Sequence, residues 1–301
     1  MQNRWIRRLA YGLGALVTLV AALVVAVYGV TWARVGRTFD VAAAPVPVAH
    51  DSATLARGAH LATVIGKCAD CHGADYGGKV FIDDPALGRV VARNITPGGE
   101  VAQYSDAELA RAIRHGVRKN GHGLFIMPSS DYSALSDEDV GALVAYLRAL
   151  PPVTRPLPPS ELHFLARALW TAGQLPLMDA FTIDHAKRAP VRVAEAPTPA
   201  YGHYLADVGG CTGCHGPGLS GGKIPGTPPD WKPAANLTPA GNVGRWSLDD
   251  FSRALRTGRR PDGSPIDTIM PWKEAGKMTD DEMRAVYAFL RSVPAKAYGN
   301  R

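Results

Sequence analysis

A long apolar run opens the chain. Residues 10–30 contain no charged side chain, and a helix of this length, rising about 1.5 Å per residue, spans the roughly 30 Å hydrocarbon core of a bilayer. Arg4, Arg7 and Arg8 precede the run, which favours a cytoplasmic N-terminus and export of the downstream chain. We predict a membrane anchor over 1–39, with its helix at about 10–30. A cleaved signal peptide is the alternative, although the apolar part of such peptides is usually only about 7–15 residues long.

Downstream of the anchor, the apolar positions follow the period of amphipathic helices. After Ser136 and again after Thr279, apolar residues occupy the i, i+3, i+4 and i+7 positions of one buried face; they are Val140, Leu143, Val144 and Leu147, then Met283, Val286, Tyr287 and Leu290. Ser105 and Ser247 each begin a capping-box-like start of a further helix. The sequence shows no comparable alternation of period two, so we predict an all-α body.

These helical signals occur twice because the body of the chain is a repeat. Matching blocks return 142 or 143 residues later; they are Cys68–His72 and Cys211–His215, Asn94–Pro97 and Asn236–Pro239, Ile126–Pro128 and Ile269–Pro271, and Tyr146–Arg148 and Phe289–Arg291. Such self-similarity at a constant spacing indicates a tandem duplication of one domain. We predict the first copy at 50–150 and the second at 198–297.

The segment between the copies, 151–197, is predicted to be a Pro-rich connector. Five prolines between 151 and 159 make its first part stiff. A short helix is expected next, with Ser160 as its N-cap and Trp170 at its end. This helix either packs against one of the domains or touches the membrane surface or a partner subunit.

Composition and charge narrow the classes of function. The net charge is +6, but residues 1–39 hold five arginines and no acidic residue, so the rest of the chain is close to neutral. Nucleic-acid binding is therefore not predicted. The 32 glycines and 24 prolines indicate small helical units joined by long structured loops.

All four cysteines lie in two Cys-x-x-Cys-His motifs. Two thiols one helical turn apart can each form a thioether to a haem vinyl group, and the adjacent histidine then lies under the iron. A zinc site would need four ligands, and a disulfide would not need the histidine. We predict two covalently bound haem c groups, attached through Cys68, Cys71, Cys211 and Cys214, with His72 and His215 as axial iron ligands.

Each copy also supplies a candidate for the sixth iron ligand. Met127 and Met270 both lie 55 residues after the motif histidine and are followed by proline, which keeps them in a loop that can fold over the haem. A thioether opposite histidine raises the reduction potential. The other methionines have no counterpart of this kind and are expected in the core.

Two further groups of residues have less specific expectations. Asn94 and Asn236 either close a turn through side-chain hydrogen bonds to the backbone or bind a haem propionate, and we favour the turn. The histidines outside the two motifs, including His60 and His115, have no histidine at the matching position of the other copy. We interpret them as ordinary surface or packing residues.

The repeated blocks resemble class I cytochrome c domains, especially those in the membrane cytochrome c subunits of bacterial alcohol, gluconate and aldehyde dehydrogenases. The resemblance covers about residues 55–150 and 200–295. It implies that His72 and Met127 bind the first iron and that His215 and Met270 bind the second. Those subunits usually carry three haem motifs and a C-terminal membrane attachment, whereas this chain has two motifs and an N-terminal apolar run.

The expected function is a relay of single electrons without substrate chemistry, so no residue is predicted to be catalytic. The location would be the periplasmic side of a bacterial inner membrane, with a single-pass anchor. The donor would be a periplasmic or membrane dehydrogenase, and the acceptor a quinone, a soluble cytochrome or an oxidase of the respiratory chain. The alternatives are a dihaem subunit of a haem-copper oxidase and, with an open iron position, a dihaem peroxidase.

Overall fold

The computed structural model describes residues 2–228 and 230–300. The N-terminal run forms one helix, α1 (Gln2–Gly36), which extends beyond the predicted 10–30 at both ends. Within the described ranges, α1 is the one helix long and apolar enough to cross a membrane. Its apolar side chains are mostly exposed, as a helix surrounded by lipid would have them.

The first lobe contains five α-helices that follow α1. They are α2 (Ser52–His60), α3 (Cys68–His72), α4 (Asp106–His115), α5 (Ser129–Tyr132) and α6 (Asp137–Ala149). The predicted helix starts are confirmed: Ser105 and Glu108 form a complete capping box on α4, and the Ser136 side chain caps α6 by accepting from the backbone of Asp139. These caps satisfy backbone N–H groups that have no partner within the helix.

A connector with the short helix α7 (Phe164–Thr171) leads from the first lobe to the second. The second lobe repeats the five-helix arrangement with α8 (Pro199–Val208), α9 (Cys211–His215), α10 (Leu248–Thr257), α11 (Trp272–Ala275) and α12 (Asp280–Ser292). The predicted all-α class is confirmed. A small antiparallel sheet, which the sequence did not indicate, adds β1 (Lys79–Asp84), β2 (Gly88–Ala92) and β3 (Glu161–Leu162) to the first lobe.

Ser160 does not cap the connector helix, contrary to the sequence prediction. The helix begins three residues later than a Ser160 cap would place it, after His163. The Ser160 hydroxyl instead accepts a hydrogen bond from the backbone N–H of Val91, 3.0 Å away. Tertiary pairing with the sheet thus takes this hydroxyl and moves the helix start.

Repeat-matched glycines let the first and last helices of each lobe cross closely. Gly58 of α2 faces the backbone carbonyl of Ala142 on α6, and Gly202 of α8 faces that of Ala285 on α12. A Cβ atom at either glycine would lie about 2 Å from that oxygen. The absence of a side chain therefore sets the distance between the two helices.

The two lobes share one continuous core and a buried polar network. Helix-start carboxylates from each lobe receive a donor from the other lobe: His60 Nε2 lies 2.8 Å from a carboxylate oxygen of Glu282, and Tyr204 donates to Asp139 at 2.5 Å. Arg57 adds a bidentate pair with Asp139 at 2.8 and 2.9 Å. His60 is therefore a packing residue at the interface between the lobes, where it pairs with Glu282. The network fixes one arrangement of the lobes.

Candidate haem sites

Each Cys-x-x-Cys-His motif forms a single helical turn that begins after a left-handed residue. That residue is Lys67 (φ 50°) before α3 and Gly210 (φ 68°) before α9. The left-handed conformation is costly for a lysine, and two hydrogen bonds hold it: Lys67 Nζ donates to the carbonyls of Ile65 and Gly209, each at 2.8 Å. Since Gly209 belongs to the second lobe, Lys67 links the approaches to the two motifs.

The motif histidines are oriented in the same way in both lobes. Nδ1 of His72 lies 2.7 Å from the carbonyl of Arg93, and Nδ1 of His215 lies 2.7 Å from that of Ala235. Since a carbonyl can only accept, Nδ1 carries the proton and Nε2 is left as the metal-binding nitrogen. Burial lowers the pKa of His72, more than its hydrogen bond to Arg93 raises it, so the imidazole is neutral, as a ligand must be.

The two Ile-Met-Pro loops share one type of turn. The backbone N–H after each proline donates to the methionine carbonyl at 2.7 Å, from Ser129 to Met127 and from Trp272 to Met270. Pro128 has φ −77° and ψ 57°, and Pro271 has φ −76° and ψ 56°. These are the angles of an inverse γ-turn. The turn that follows each methionine therefore has the same conformation in both lobes.

One cavity of about 590 Å³ collects all of the predicted site residues. Its wall includes Cys68, Cys71, His72 and Met127 from the first lobe and Cys211, Cys214, His215 and Met270 from the second. The first lobe's part of the wall also includes apolar side chains, among them Leu61, Leu109, Ile113, Leu143 and Leu147. The two motifs therefore open onto a common space rather than onto opposite faces of the molecule.

Arginines in the cavity wall are the site residues that sequence reasoning missed. The buried Nε of Arg118 has no hydrogen-bond partner in the protein, although an unpartnered buried donor is costly. A haem propionate is an anion that this guanidinium could bind, so the donor set fits a haem. Arg260 stands at the matching position of the second lobe and also lines the cavity. This repeat match is a sequence signal that could have identified both.

Charged groups also lie where the lobes meet within the cavity wall. Burial, and then the nearby carboxylate of Asp179, raises the pKa of Asp131 to about 6. Lys67, whose ammonium group lowers that pKa, is close by. A cation and a titratable acid thus stand between the two haem motifs, where their charge acts on both lobes.

Asn94 and Asn236 serve as turn residues, as the favoured interpretation held. The Asn94 side chain accepts from the backbone N–H of Thr96 at 2.9 Å and donates to the carbonyl of Val153 at 2.6 Å. Asn236 accepts from Thr238 and donates to Lys296 in the same pattern. Among the other histidines, Nδ1 of His115 lies 3.1 Å from Nδ1 of His185. The three remaining methionines of the lobes and connector, Met178, Met278 and Met283, are buried in the core.

Comparison with known proteins identifies both lobes. Residues 53–147 match the family model described as cytochrome C oxidase, cbb3-type, subunit III, and residues 200–294 match the model described as cytochrome c. Both lobes are cytochrome c domains. These matches confirm the predicted cofactors, which are two covalently bound haem c groups. They also confirm the class of function, electron transfer.

Relatives of this cytochrome include subunits of dehydrogenases. It is 31% identical over 271 residues to the alcohol dehydrogenase (quinone) cytochrome c subunit of Gluconacetobacter polyoxogenes, covering 81% of this chain and 57% of that protein. Identity is 30% to the gluconate 2-dehydrogenase cytochrome c subunit of Pantoea cypripedii, over 82% of this chain and 61% of the relative. A dihaem cytochrome c-type protein of Cereibacter sphaeroides is 29% identical, over 76% of this chain and 83% of that protein. The chain thus spans less than two thirds of the two dehydrogenase subunits.

Proposed function

We propose that this cytochrome is a membrane-anchored relay that takes single electrons from a dehydrogenase and passes them to a further acceptor. The observation that carries the proposal is the single cavity onto which both haem motifs and both loop methionines open. Residues that hold two redox groups in the wall of one cavity give an electron a short route from lobe to lobe.

In this proposal each lobe attaches and ligates one haem. The first is held by Cys68, Cys71, His72 and Met127, and the second by Cys211, Cys214, His215 and Met270. A haem c supplies the one-electron chemistry of its iron. The protein aims each imidazole through a backbone carbonyl, holds each thioether in a γ-turn loop, and offers the guanidinium of Arg118 to a propionate.

Two ligands from the protein at each iron leave no position for a substrate. A dihaem peroxidase would need an open or displaceable position, and the repeat-matched methionines argue against one, so we propose no catalytic residue. The haem-copper oxidase subunit is not favoured. Although the model that matches 53–147 takes its description from an oxidase subunit, the relatives described above include cytochrome c subunits of dehydrogenases.

The proposed location is the periplasmic face of a bacterial inner membrane, with α1 as a single-pass anchor. Arg4, Arg7 and Arg8 at the start of α1 favour a cytoplasmic N-terminus. The names of the relatives support a periplasmic or membrane dehydrogenase as the electron donor. The acceptor would be a quinone, a soluble cytochrome or an oxidase of the respiratory chain.

Ligand binding to the reduced protein tests the axial assignments. The full chain should contain two c-type haems and bind no carbon monoxide, because both irons are six-coordinate. Met127→Ala and Met270→Ala should each let one of the two haems bind it. Met283→Leu, which changes a buried methionine outside the cavity wall, is the matched control and should bind none. Carbon monoxide binding or peroxide turnover by the unaltered protein would contradict the relay.

Gentle detergent extraction tests the partner. A tagged full chain should co-purify with a dehydrogenase, and the substrate of that dehydrogenase should reduce both haems. Isolation with the catalytic subunit of a haem-copper oxidase instead would favour the alternative.

A further inference from the structure

The connector helix α7 lies beside the C-terminal end of α1. The Arg167 guanidinium stands 4.9 Å from the centre of the Tyr28 ring and donates to the Thr31 hydroxyl at 2.9 Å. Arg34 donates to the carbonyl of Trp170 at 2.7 Å. The ring of Phe164 stacks on Tyr28 with centroids 6.4 Å apart. These contacts set α7 level with the last two turns of α1.

The outward face of α7 is apolar. Arg167 is the one charged residue in the helix, and it turns inward to α1. Ala166 and Trp170 are buried, whereas Phe164 and Leu165 are 40% and 44% exposed. A water-facing helix normally places its charges outward and its apolar residues inward. In α7 the one charge turns inward instead, and apolar side chains lie on the exposed face as well as on the buried one.

The position of α7 along α1 indicates what covers this face. The apolar run of α1 ends at Val30, so Tyr28 lies about 3 Å inside that end at about 1.5 Å per residue. A ring stacked on Tyr28 is therefore at the boundary between hydrocarbon and headgroups, where aromatic side chains are favoured.

We propose that α7 lies in the membrane interface, with Phe164 and Leu165 inserted among the lipids that surround α1. The inference rests on the proposed anchoring of α1. The occupant of the face is lipid of the same bilayer, because the face continues the lipid-exposed surface of α1.

This docking would seat the first haem site on the membrane. Trp170 of α7 packs with Leu177 and Met178, and Phe125 and Ile126 pack against this cluster. The backbone N–H of Ile126 donates to the carbonyl of Leu177 at 2.9 Å. Ile126 directly precedes the proposed iron ligand Met127, so the interfacial helix and the ligand loop form one packed unit.

Spin labelling of the full haem-loaded chain in phosphatidylcholine–phosphatidylglycerol vesicles tests the proposal. With the native cysteines bound as thioethers, Leu165→Cys offers a single thiol for a nitroxide. Leu16→Cys in α1 and Val191→Cys, which is 66% exposed in the connector, are the matched comparisons. Accessibility is measured to oxygen, which concentrates in lipid, and to a water-soluble nickel chelate.

The label at 165 should collide with nickel several-fold less often than the label at 191 and should be reached by oxygen like the label at 16. Nickel access at 165 equal to that at 191, with 16 shielded, would overturn the inference while leaving the anchor intact. Nickel access at 16 would overturn the anchor and the inference with it. A label at 165 shielded from both reagents would show a protein contact, and lipid would be the wrong occupant.

Discussion

Replacing Gly202 with alanine tests the close helix crossing that supports the second haem motif. A Cβ atom at this position would lie 1.9 Å from the carbonyl oxygen of Ala285 and 2.4 Å from its carbon. Ordinary van der Waals contact begins near 3.4 Å. To lengthen the distance between the Cβ and the Ala285 oxygen from 1.9 Å to 3.4 Å, α8 and α12 must separate by roughly 1.5 Å. The obstacle is helix backbone, which cannot rotate away.

The cost follows from this overlap. Overpacking typically destabilises by about 1–3 kcal/mol, and a backbone obstacle puts Gly202→Ala near 3 kcal/mol at the upper end of that range. Alanine regains about 1 kcal/mol through its helix propensity, which leaves a net loss of about 2 kcal/mol. At about 2–4 °C per kcal/mol for a protein of this size class, the midpoint of thermal unfolding should fall by about 4–8 °C.

Circular dichroism of the detergent-solubilised protein measures that midpoint. Gly14→Ala in α1 is the matched control, because its Cβ would meet no atom within 4 Å and the change should leave the midpoint unchanged or raise it slightly. Since α8 leads directly into Gly210 and Cys211, the Gly202 variant should also weaken Met270 ligation in the second lobe. A Gly202→Ala protein that unfolds at or above the normal temperature would refute the close crossing.

Three further predictions concern single side chains. Met270→His should lower the potential of one haem and leave the other unchanged in a spectroelectrochemical titration, because bis-histidine ligation lacks the thioether. Although burial alone would raise it, the hydrogen bond from His60 holds the pKa of Glu282 below its ordinary 4.5. The ionised Glu282 carboxylate therefore stabilises the fold fully above pH 4.5, and this stabilisation is lost as pH falls through the lowered folded-state pKa. Glu282→Gln should make the urea unfolding midpoint less sensitive to acid. The control Glu138→Gln, at an exposed position, should not. Burial is the main cause that raises the pKa of Asp131 from 3.8 to about 6, so ionisation of this carboxyl opposes folding as pH rises through that interval. Asp131→Asn should therefore raise the unfolding midpoint at pH about 7 but not below about pH 4. Equal gains at both pH values would contradict the raised pKa.

Local sequence patterns were sufficient for the features that depend on local chemistry. The helix starts at Ser105 and Ser136 formed as predicted because a capping side chain needs partners only three residues away. The repeat also predicted equivalent site residues in the two lobes, since duplicated positions fold alike, but it gave no sign that both sets line one cavity. Ser160 failed because its hydroxyl pairs with Val91, a residue of the sheet that is distant in sequence.

The interface between the lobes was not predicted because different residue types make its two equivalent contacts. His60 and Tyr204 occupy matching repeat positions and reach equivalent carboxylates, on Glu282 and Asp139, from opposite lobes. The second lobe has no histidine at the position that matches His60. Tyr204 is nevertheless its counterpart, because it makes the same contact with a carboxylate of the opposite lobe. The small sheet was missed for another reason: β1 is interrupted by a register shift between Val80 and Ile82 and is largely exposed, which removes the alternation that identifies a strand.

The reciprocal exchange of donors between the lobes makes their pairing self-complementary. A self-complementary contact closes after two members, as in an isologous dimer, and here both members are already covalently joined. A third copy of the same module could not add to this face, so any longer chain of redox centres must be built through other surfaces. A lobe produced alone would expose its half of the shared core, and Asp139 or Glu282 would lose the donor that the opposite lobe supplies. The duplicated chain is therefore a completed pair rather than the beginning of an array.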